Sequence, residues 1–201
     1  MNKFFPAEMK RKILSLIFIL GLVYLILPGP TKIEDFPPLT PSLKSTLEGD
    51  TIQNPNIAAY FSDFRRDYIT DYYKQKFASL HIFGRILPPL TLNHPPEYAY
   101  QYIRDQQEST FLEEYVYPLR ESFFVNGYEP EVENRIYNRG SDFTGNHIIV
   151  RNNGVGEELF FNSKATVRFY PTNILGRVLV YTGIWLAAVL IYKLFLKALK
   201  D

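Results

Sequence analysis

Two long apolar segments, one near each end of the chain, constrain the fold more than any other feature of the sequence. Residues 13–27 read ILSLIFILGLVYLIL, and residues 174–196 read ILGRVLVYTGIWLAAVLIYKLFL. The first covers roughly 22 Å as a helix, whereas a hydrocarbon core of about 30 Å needs closer to 20 residues. The second is long enough to span a bilayer. Both segments are predicted to be transmembrane helices.

Basic residues precede the first segment and extend its reach. The aliphatic stems of Lys10, Arg11 and Lys12 can add to the apolar length while their charges stay at the headgroups. A basic stretch before 15 apolar residues is also typical of a cleaved signal peptide, which is the alternative interpretation. Because PGPTKIEDF follows without a small-x-small cleavage site, an uncleaved anchor is favoured.

The second segment carries its own membrane signals. Arg177 near its start and Lys193 near its end are expected to reach the headgroups. Small residues near one face, together with a central tryptophan, predict a contact with another transmembrane helix. These residues are Gly176, Gly183, Ala187 and Trp185.

Charge is segregated along the chain, although the formal net charge is only +1. Residues 31–172 carry 14 Lys/Arg and 19 Asp/Glu, whereas the two ends together carry 8 Lys/Arg and 2 Asp/Glu. The positive-inside rule therefore predicts a plasma-membrane protein with both termini in the cytoplasm and the central domain outside. The acidic middle lacks the basic patch of a nucleic-acid-binding protein. The alternative is a soluble protein with both apolar segments in its core.

Between the two spans, helical spacing comes first and strand patterns follow. Spacings of three and four predict a helix over about 56–80, with Ile57, Tyr60 and Phe64 on one face. A second helix is predicted from Pro96 to about 125, ended by Asn126-Gly127. Short β-strands are predicted over 147–151, 157–161 and 165–170.

These patterns predict an α+β membrane protein with two transmembrane helices flanking an extracytoplasmic domain of a helical hairpin and a small antiparallel β-sheet. The proline-rich spacer offers Ile33, Phe36 and Leu39 for docking along that domain. The predicted parts are a basic N-terminus (1–12), the first span (13–27), the spacer (28–56), a helical part (57–127), a β part (128–172), the second span (174–196) and a basic tail (197–201).

Two groups of potential metal ligands raise the question of a metal site. His94 and Glu97 in NHPPE have the spacing of a ligand pair, but each residue is also explained by helix initiation at Pro96. On a strand, Glu129, Glu131 and Glu133 would share a face and hold a divalent cation or a basic partner. A solvated strand face or loop explains the same row. We therefore predict no metal and no cofactor.

The sequence predicts binding rather than catalysis. It has no cysteine, and it lacks a phosphate-binding glycine loop and the common hydrolase motifs. We expect a non-enzymatic subunit or scaffold of a cell-envelope complex, with the lipid bilayer and a protein partner or a second copy as its contacts. One alternative is an extracytoplasmic ligand sensor coupled through the second span. The other is an envelope hydrolase using a histidine or Glu97, Glu113 or Glu114.

Overall fold

The computed structural model describes residues 6–46, 50, 56–94, 111–128, 148–151 and 158–199. Within them the chain forms three α-helices and an antiparallel sheet, so the predicted α+β class is confirmed. The chain divides into two compact units. A helical unit comprises Met1–Pro28, Pro118–Arg120 and Thr172–Asp201, and a sheet unit comprises Gly29–Tyr117 and Glu121–Pro171.

The helical unit contains α1 (Ala7–Ile26) and α3 (Ile174–Ala198). The sheet unit contains a single-turn 3₁₀ helix (Ile33–Asp35), one α-helix and eight strands among its described residues. These are β1 (Leu43–Lys44), β2 (Ile57–Ser62), α2 (Arg66–Ser79), β3 (Leu90–His94), β4 (Phe111–Val116), β5 (Ser122–Tyr128), β6 (Ile148–Arg151), β7 (Glu158–Phe161) and β8 (Ser163–Tyr170).

Six strands form the main sheet in the order β1-β2-β8-β5-β4-β3, and every neighbouring pair is antiparallel. Strand β8, the last in the chain, therefore lies in the interior of the sheet between β2 and β5. The registers align Leu90 with Val116, Val116 with Ser122, and Ser122 with Tyr170. One end of the sheet is thus defined by this row. Strands β6 and β7 pair separately.

Aromatic rings fill the core between the sheet and α2. Phe36 from the spacer stacks on Phe123 at 4.3 Å between ring centroids and lies 5.2 Å from Phe169. From α2, Tyr73 and Phe77 are fully buried against the same cluster. The predicted docking of the spacer is confirmed, because Ile33, Phe36 and Leu39 are each no more than 5% exposed.

A glycine on β5 makes room for one of these rings. Phe111 on β4 lies opposite Gly127, and a Cβ on that glycine would stand 1.8 Å from the ring. The ring therefore covers the bare backbone of the neighbouring strand. Asn126 and Gly127 lie within a strand, and their predicted role as a helix terminus is wrong.

The first predicted helix, over about 56–80, is confirmed at Arg66–Ser79 and is wrong in its N-terminal part. Residues 57–62 form β2, and the helix begins only at Arg66. Strand β2 is buried along its whole length, so its apolar residues run continuously rather than alternating. This continuous run happened to fit helical spacing. In α2 the buried face consists of Ile69, Thr70, Tyr73 and Phe77.

The second predicted helix is also wrong wherever the structure describes it. Residues 111–116 and 122–128 form a β-hairpin, with Pro118 in its turn. Buried residues lie four apart at Phe111 and Tyr115, and two apart at Phe123 and Val125. A spacing of four fits both a strand face and a helix face, so the sequence pattern was ambiguous. Residues 95–110 lie outside the described part.

The three strands predicted near the C-terminus are confirmed at Ile148–Arg151, Glu158–Phe161 and Ser163–Tyr170. The sheet is larger than predicted, because β8 joins five strands that the sequence pattern did not associate with it.

In the described part of the chain, one helix is long and apolar enough to cross a bilayer, namely Ile174–Ala198. Helix α1 carries Glu8, Lys10, Arg11 and Lys12 in its first turns, which shortens its apolar length. The structure therefore supports one candidate span, and the second is not established by it.

Candidate functional site

Helices α1 and α3 pair antiparallel within the helical unit. Tyr181 stacks on Phe18 with ring centroids 5.6 Å apart, and its hydroxyl donates to the carbonyl oxygens of Ile17 and Phe18. A Cβ on Gly21 would stand 2.0 Å from that hydroxyl oxygen, so glycine permits the close approach. Trp185 packs edge-to-face on Phe18 at 5.7 Å.

Two arginines satisfy the C-terminal end of α1. The guanidinium of Arg177 donates to the carbonyl of Leu25 at 3.4 Å and to Thr172, while Arg120 donates to the carbonyl of Tyr24 at 2.7 Å. The last turn of a helix has unpaired carbonyls and a partial negative charge, and α1 has no basic residue there. Arg177 and Arg120 supply that positive charge from other segments.

The small residues of α3 do not take part in this pairing. A Cβ on Gly176 or Gly183 would meet no atom within 4 Å, and Ala187 is exposed. The predicted anchors Lys10, Arg11, Lys12 and Lys193 are exposed as well. By contrast Arg177, predicted to reach the headgroups, is only 7% exposed.

A fully buried histidine and glutamate meet in the sheet unit. The Nε2 of His81 faces a carboxylate oxygen of Glu121, and neither side chain has exposed surface. The Nδ1 of His81 lies 2.7 Å from the carbonyl oxygen of Phe77, which only accepts hydrogen bonds, so Nδ1 carries a proton. A second proton must then lie between Nε2 and the carboxylate. Both side chains are fully buried, so the pair contributes a polar contact inside the core.

This pair lies at the base of a loop, residues 81–87, that we call the apolar loop. The loop is ordered by hydrogen bonds from the Gly84 amide to His81 and from the Leu87 amide to Phe83. The Tyr117 hydroxyl donates to the carbonyl of Leu87 at 3.1 Å. Its apolar side chains nevertheless point into solvent: Ile82 is 69% exposed, and Ile86 is 90% exposed.

A groove of about 480 Å³ lies between the spacer and strand β2. Its lining includes Tyr60, Glu34, Lys44 and the prolines at positions 38 and 41. Burial, and secondarily the nearby Glu34 carboxylate, raises the pKa of the Tyr60 hydroxyl. The groove therefore presents a protonated phenol together with one acidic and one basic side chain.

A ladder of aromatic rings runs along α2 toward this groove. Phe64 stacks on Tyr68 at 4.3 Å, and Tyr68 lies 6.3 Å from Tyr72. The Tyr72 hydroxyl donates to the carbonyl of Pro38 at 2.9 Å, which joins the ladder to the wall of the groove. Burial, more than the neighbouring Tyr68, raises the pKa of Tyr72. Tyr68 remains 48% exposed.

Most of the predicted metal ligands lie outside the residues that the structure describes. His94 is the last residue of strand β3, and the helix start predicted at Pro96, together with Glu97, Glu129, Glu131 and Glu133, lies outside the described residues. The carboxylates of Glu113 and Glu114 belong to opposite faces of β4, since they are adjacent on a strand. Glu113 accepts from Arg66 at 3.4 Å and from the Tyr115 hydroxyl at 3.0 Å. Among the described residues no cluster of three or more His, Asp or Glu forms a metal site.

No protein-family model matches this sequence, and comparisons with curated proteins and with solved structures likewise find no match.

Proposed function

We propose that this is a two-span membrane protein whose extracytoplasmic domain binds a protein partner, as a subunit or scaffold of a cell-envelope complex. Its two terminal helices would form an antiparallel hairpin in the bilayer. The central domain would present the groove and the aromatic ladder to the partner.

The observation that carries the membrane part is the exposed apolar surface of the paired helices. On α1, Ile13, Leu16 and Leu20 are 42%, 55% and 58% exposed. On α3, Leu186 and Ile191 are 67% and 66% exposed. Large aliphatic groups in such numbers are unfavourable in water but not in hydrocarbon. Tyr181, Phe18 and Gly21 hold the helices together, which favours insertion of α1 beside α3.

The antiparallel pairing also supports the orientation. The basic residues that precede the apolar part of α1 and those that end α3 lie at the same end of the hairpin, including Lys12 and Lys197. Both basic ends on one side of the membrane satisfy the positive-inside rule. This side is the cytoplasm in the proposal, and the domain lies on the other.

Topology can be tested cleanly because the chain has no cysteine of its own. Thr40→Cys reports on the domain, and Lys197→Cys reports on the end of α3; both side chains are exposed. A membrane-impermeant maleimide should label Thr40→Cys in intact cells and Lys197→Cys only after lysis. The reverse pattern, or recovery of the full chain in the soluble fraction without detergent, overturns the proposal.

Partner binding is tested by purification in mild detergent with variants of the ladder. The full chain should bring down a membrane partner in fixed ratio, and Tyr68→Ala should reduce the yield of that partner. Gln75→Ala is the matched control, because it also changes an exposed residue on α2. Loss of partner with Gln75→Ala alone, or no partner with the unaltered chain, contradicts the scaffold function.

The groove favours the ligand sensor as a second candidate function. Its volume of about 480 Å³ falls in the range of small-molecule sites. A sensor would retain a small molecule through purification, and Lys44→Ala would release it. A chain that binds a protein partner while its groove stays empty favours the scaffold.

A further inference from the structure

The apolar loop is the most exposed apolar feature among the described residues of the sheet unit. Ile82, Ile86 and Leu87 are 69%, 90% and 49% exposed, and Arg85 between them is exposed too. Single surface aliphatics are ordinary, but three within six residues on one turn form a patch. Contacts with neighbouring residues of the sheet unit hold the loop in this exposed form.

These contacts lie at the base of the loop. Below it, His81 is fixed by the Phe77 carbonyl and by Glu121, and Phe83 packs edge-to-face on Tyr117 with centroids 5.0 Å apart. A Cβ on Gly84 would stand 1.8 Å from the carbonyl oxygen of Ala78, so the loop lies directly on the end of α2. The isoleucine side chains thus cannot fold back without losing these contacts.

Strand register places this loop at a particular end of the sheet. The loop leads into β3 at Leu90, which lies in one row with Val116, Ser122 and Tyr170. Strands are about 4.8 Å apart, so Leu90 is roughly 14 Å from Tyr170 across the sheet. Both residues mark the same end.

That end is tied to the second span by a short linker. Only three residues, 171–173, separate Tyr170 from the first residue of α3. The four steps from Tyr170 to Ile174 extend to about 14 Å at most. If α3 begins at the surface of the bilayer, the linker keeps Tyr170 within about 14 Å of that surface.

We propose that the apolar loop inserts into the interfacial layer of the same bilayer that holds α3. This inference rests on the proposed function. Ile82, Ile86 and Leu87 would enter the boundary between headgroups and acyl chains, and the guanidinium of Arg85 would lie among lipid phosphates, as interfacial apolar and basic residues do. The domain would then contact lipid at a site separate from its transmembrane helices.

The test uses single cysteines that carry an environment-sensitive fluorophore, in the full chain reconstituted into nanodiscs. Ile86→Cys reports on the loop. Ile149→Cys is the matched control, since it is an aliphatic position that is 55% exposed and lies opposite Phe160, near the start of β8. Strand β8 separates that region from Tyr170 by roughly 23 Å. Leu186→Cys, on α3, reports on membrane insertion itself.

We expect nitroxide groups at a shallow depth in the lipid to quench the fluorophore at position 86 severalfold more than at position 149. Iodide in the water should show the opposite order. Equal quenching at positions 86 and 149, with position 186 quenched by lipid, overturns the loop insertion and leaves the membrane anchor intact. Protection of position 86 from iodide without quenching by lipid indicates a second copy and also overturns it. Absence of lipid quenching at position 186 contradicts the proposed function itself.

Discussion

His81 and Glu121 show how one buried polar pair can fix a local structure. Since the Phe77 carbonyl keeps a proton on Nδ1, the contact between Nε2 and the carboxylate holds one more proton between them. The pair is neutral overall, which lowers its desolvation cost. Removal of one partner would leave the other polar group buried without compensation.

Glu121→Ala should therefore lower the free energy of unfolding by about 3 kcal/mol. Glu121→Gln should cost about 1 kcal/mol, because its amide can donate to Nε2 of the neutral ring. Unfolding in urea and mild detergent, followed by the near-ultraviolet circular dichroism of the tyrosine-rich core, measures both variants. Equal losses for the two variants would show that the hydrogen bond to Nε2 is unimportant.

Asp35 provides a pH-dependent contribution at the other edge of the core. Hydrogen bonds from the Thr31 amide first, and then from the Lys32 amide and the Thr31 hydroxyl, hold the pKa of its carboxyl below the ordinary value of 3.8. A lowered pKa in the folded state gives stability above pH 3.8 that is lost as the pH falls through the folded-state pKa.

Replacement of Asp35 by Asn should thus destabilise the protein at pH 6 and make little difference well below pH 3.8. Thermal unfolding of both chains across this pH range provides the measurement. Asp67→Asn, in the first turn of α2, controls for the general effect of removing an acidic residue. If the difference in unfolding temperature between the unaltered chain and Asp35→Asn stays constant with pH, this role is contradicted.

At the scale of elements, the sequence predicted the secondary structure correctly where its pattern fits only one kind of element. It failed where the same pattern fits both a helix and a strand. The strands after residue 147 were predictable from their short apolar runs and polar turns. Phe111 and Tyr115 are four apart, which fits either a helix or a strand face, and the pairing with β5 decides for the strand. Only long-range pairing distinguishes the two, and local pattern does not contain it.

The same limit applied to the candidate sites. His81 and Glu121 are 40 residues apart, and no local spacing relates them. The groove likewise brings residues of the spacer, such as Glu34 and Pro38, beside Tyr60 of β2. No local spacing in the sequence relates these positions. A charged residue such as Glu121, two positions before the apolar run of 123–125, was a signal of a buried pair, but it did not identify the partner.

The pairing of α1 with α3 gives a prediction that uses the only tryptophan of the chain. Gly21→Leu would place atoms where the Tyr181 ring lies, so Trp185 should lose its contact with Phe18 and change its fluorescence maximum. Gly183→Leu is the matched control, because a Cβ there meets no atom within 4 Å. A shift of similar size in both variants, or in neither, contradicts the pairing.

At the scale of the whole molecule, charge and apolar length determine the proposed orientation. Membrane insertion of α1 should depend on its basic flank, since its apolar part is short. Replacement of Lys10, Arg11 and Lys12 by Gln is therefore expected to move the N-terminus to the outer side in part of the population.

Labelling of Pro6→Cys by an impermeant maleimide in intact cells measures that fraction. The control replaces Lys44, Lys74 and Lys76 by Gln, because charges within a long translocated domain have little effect on orientation. If the flank variant labels no more than the control, the basic residues of α1 do not set its orientation.

The place of β8 in the sheet has a consequence for biosynthesis. This strand lies between β2 and β5, yet it is made after all the others and just before α3. Until residue 170 has been synthesised, β2 and β5 have no strand to join them. If the central domain is exported, nearly all of it must therefore cross as an unfinished chain, and its folding must coincide with arrival of the last helix.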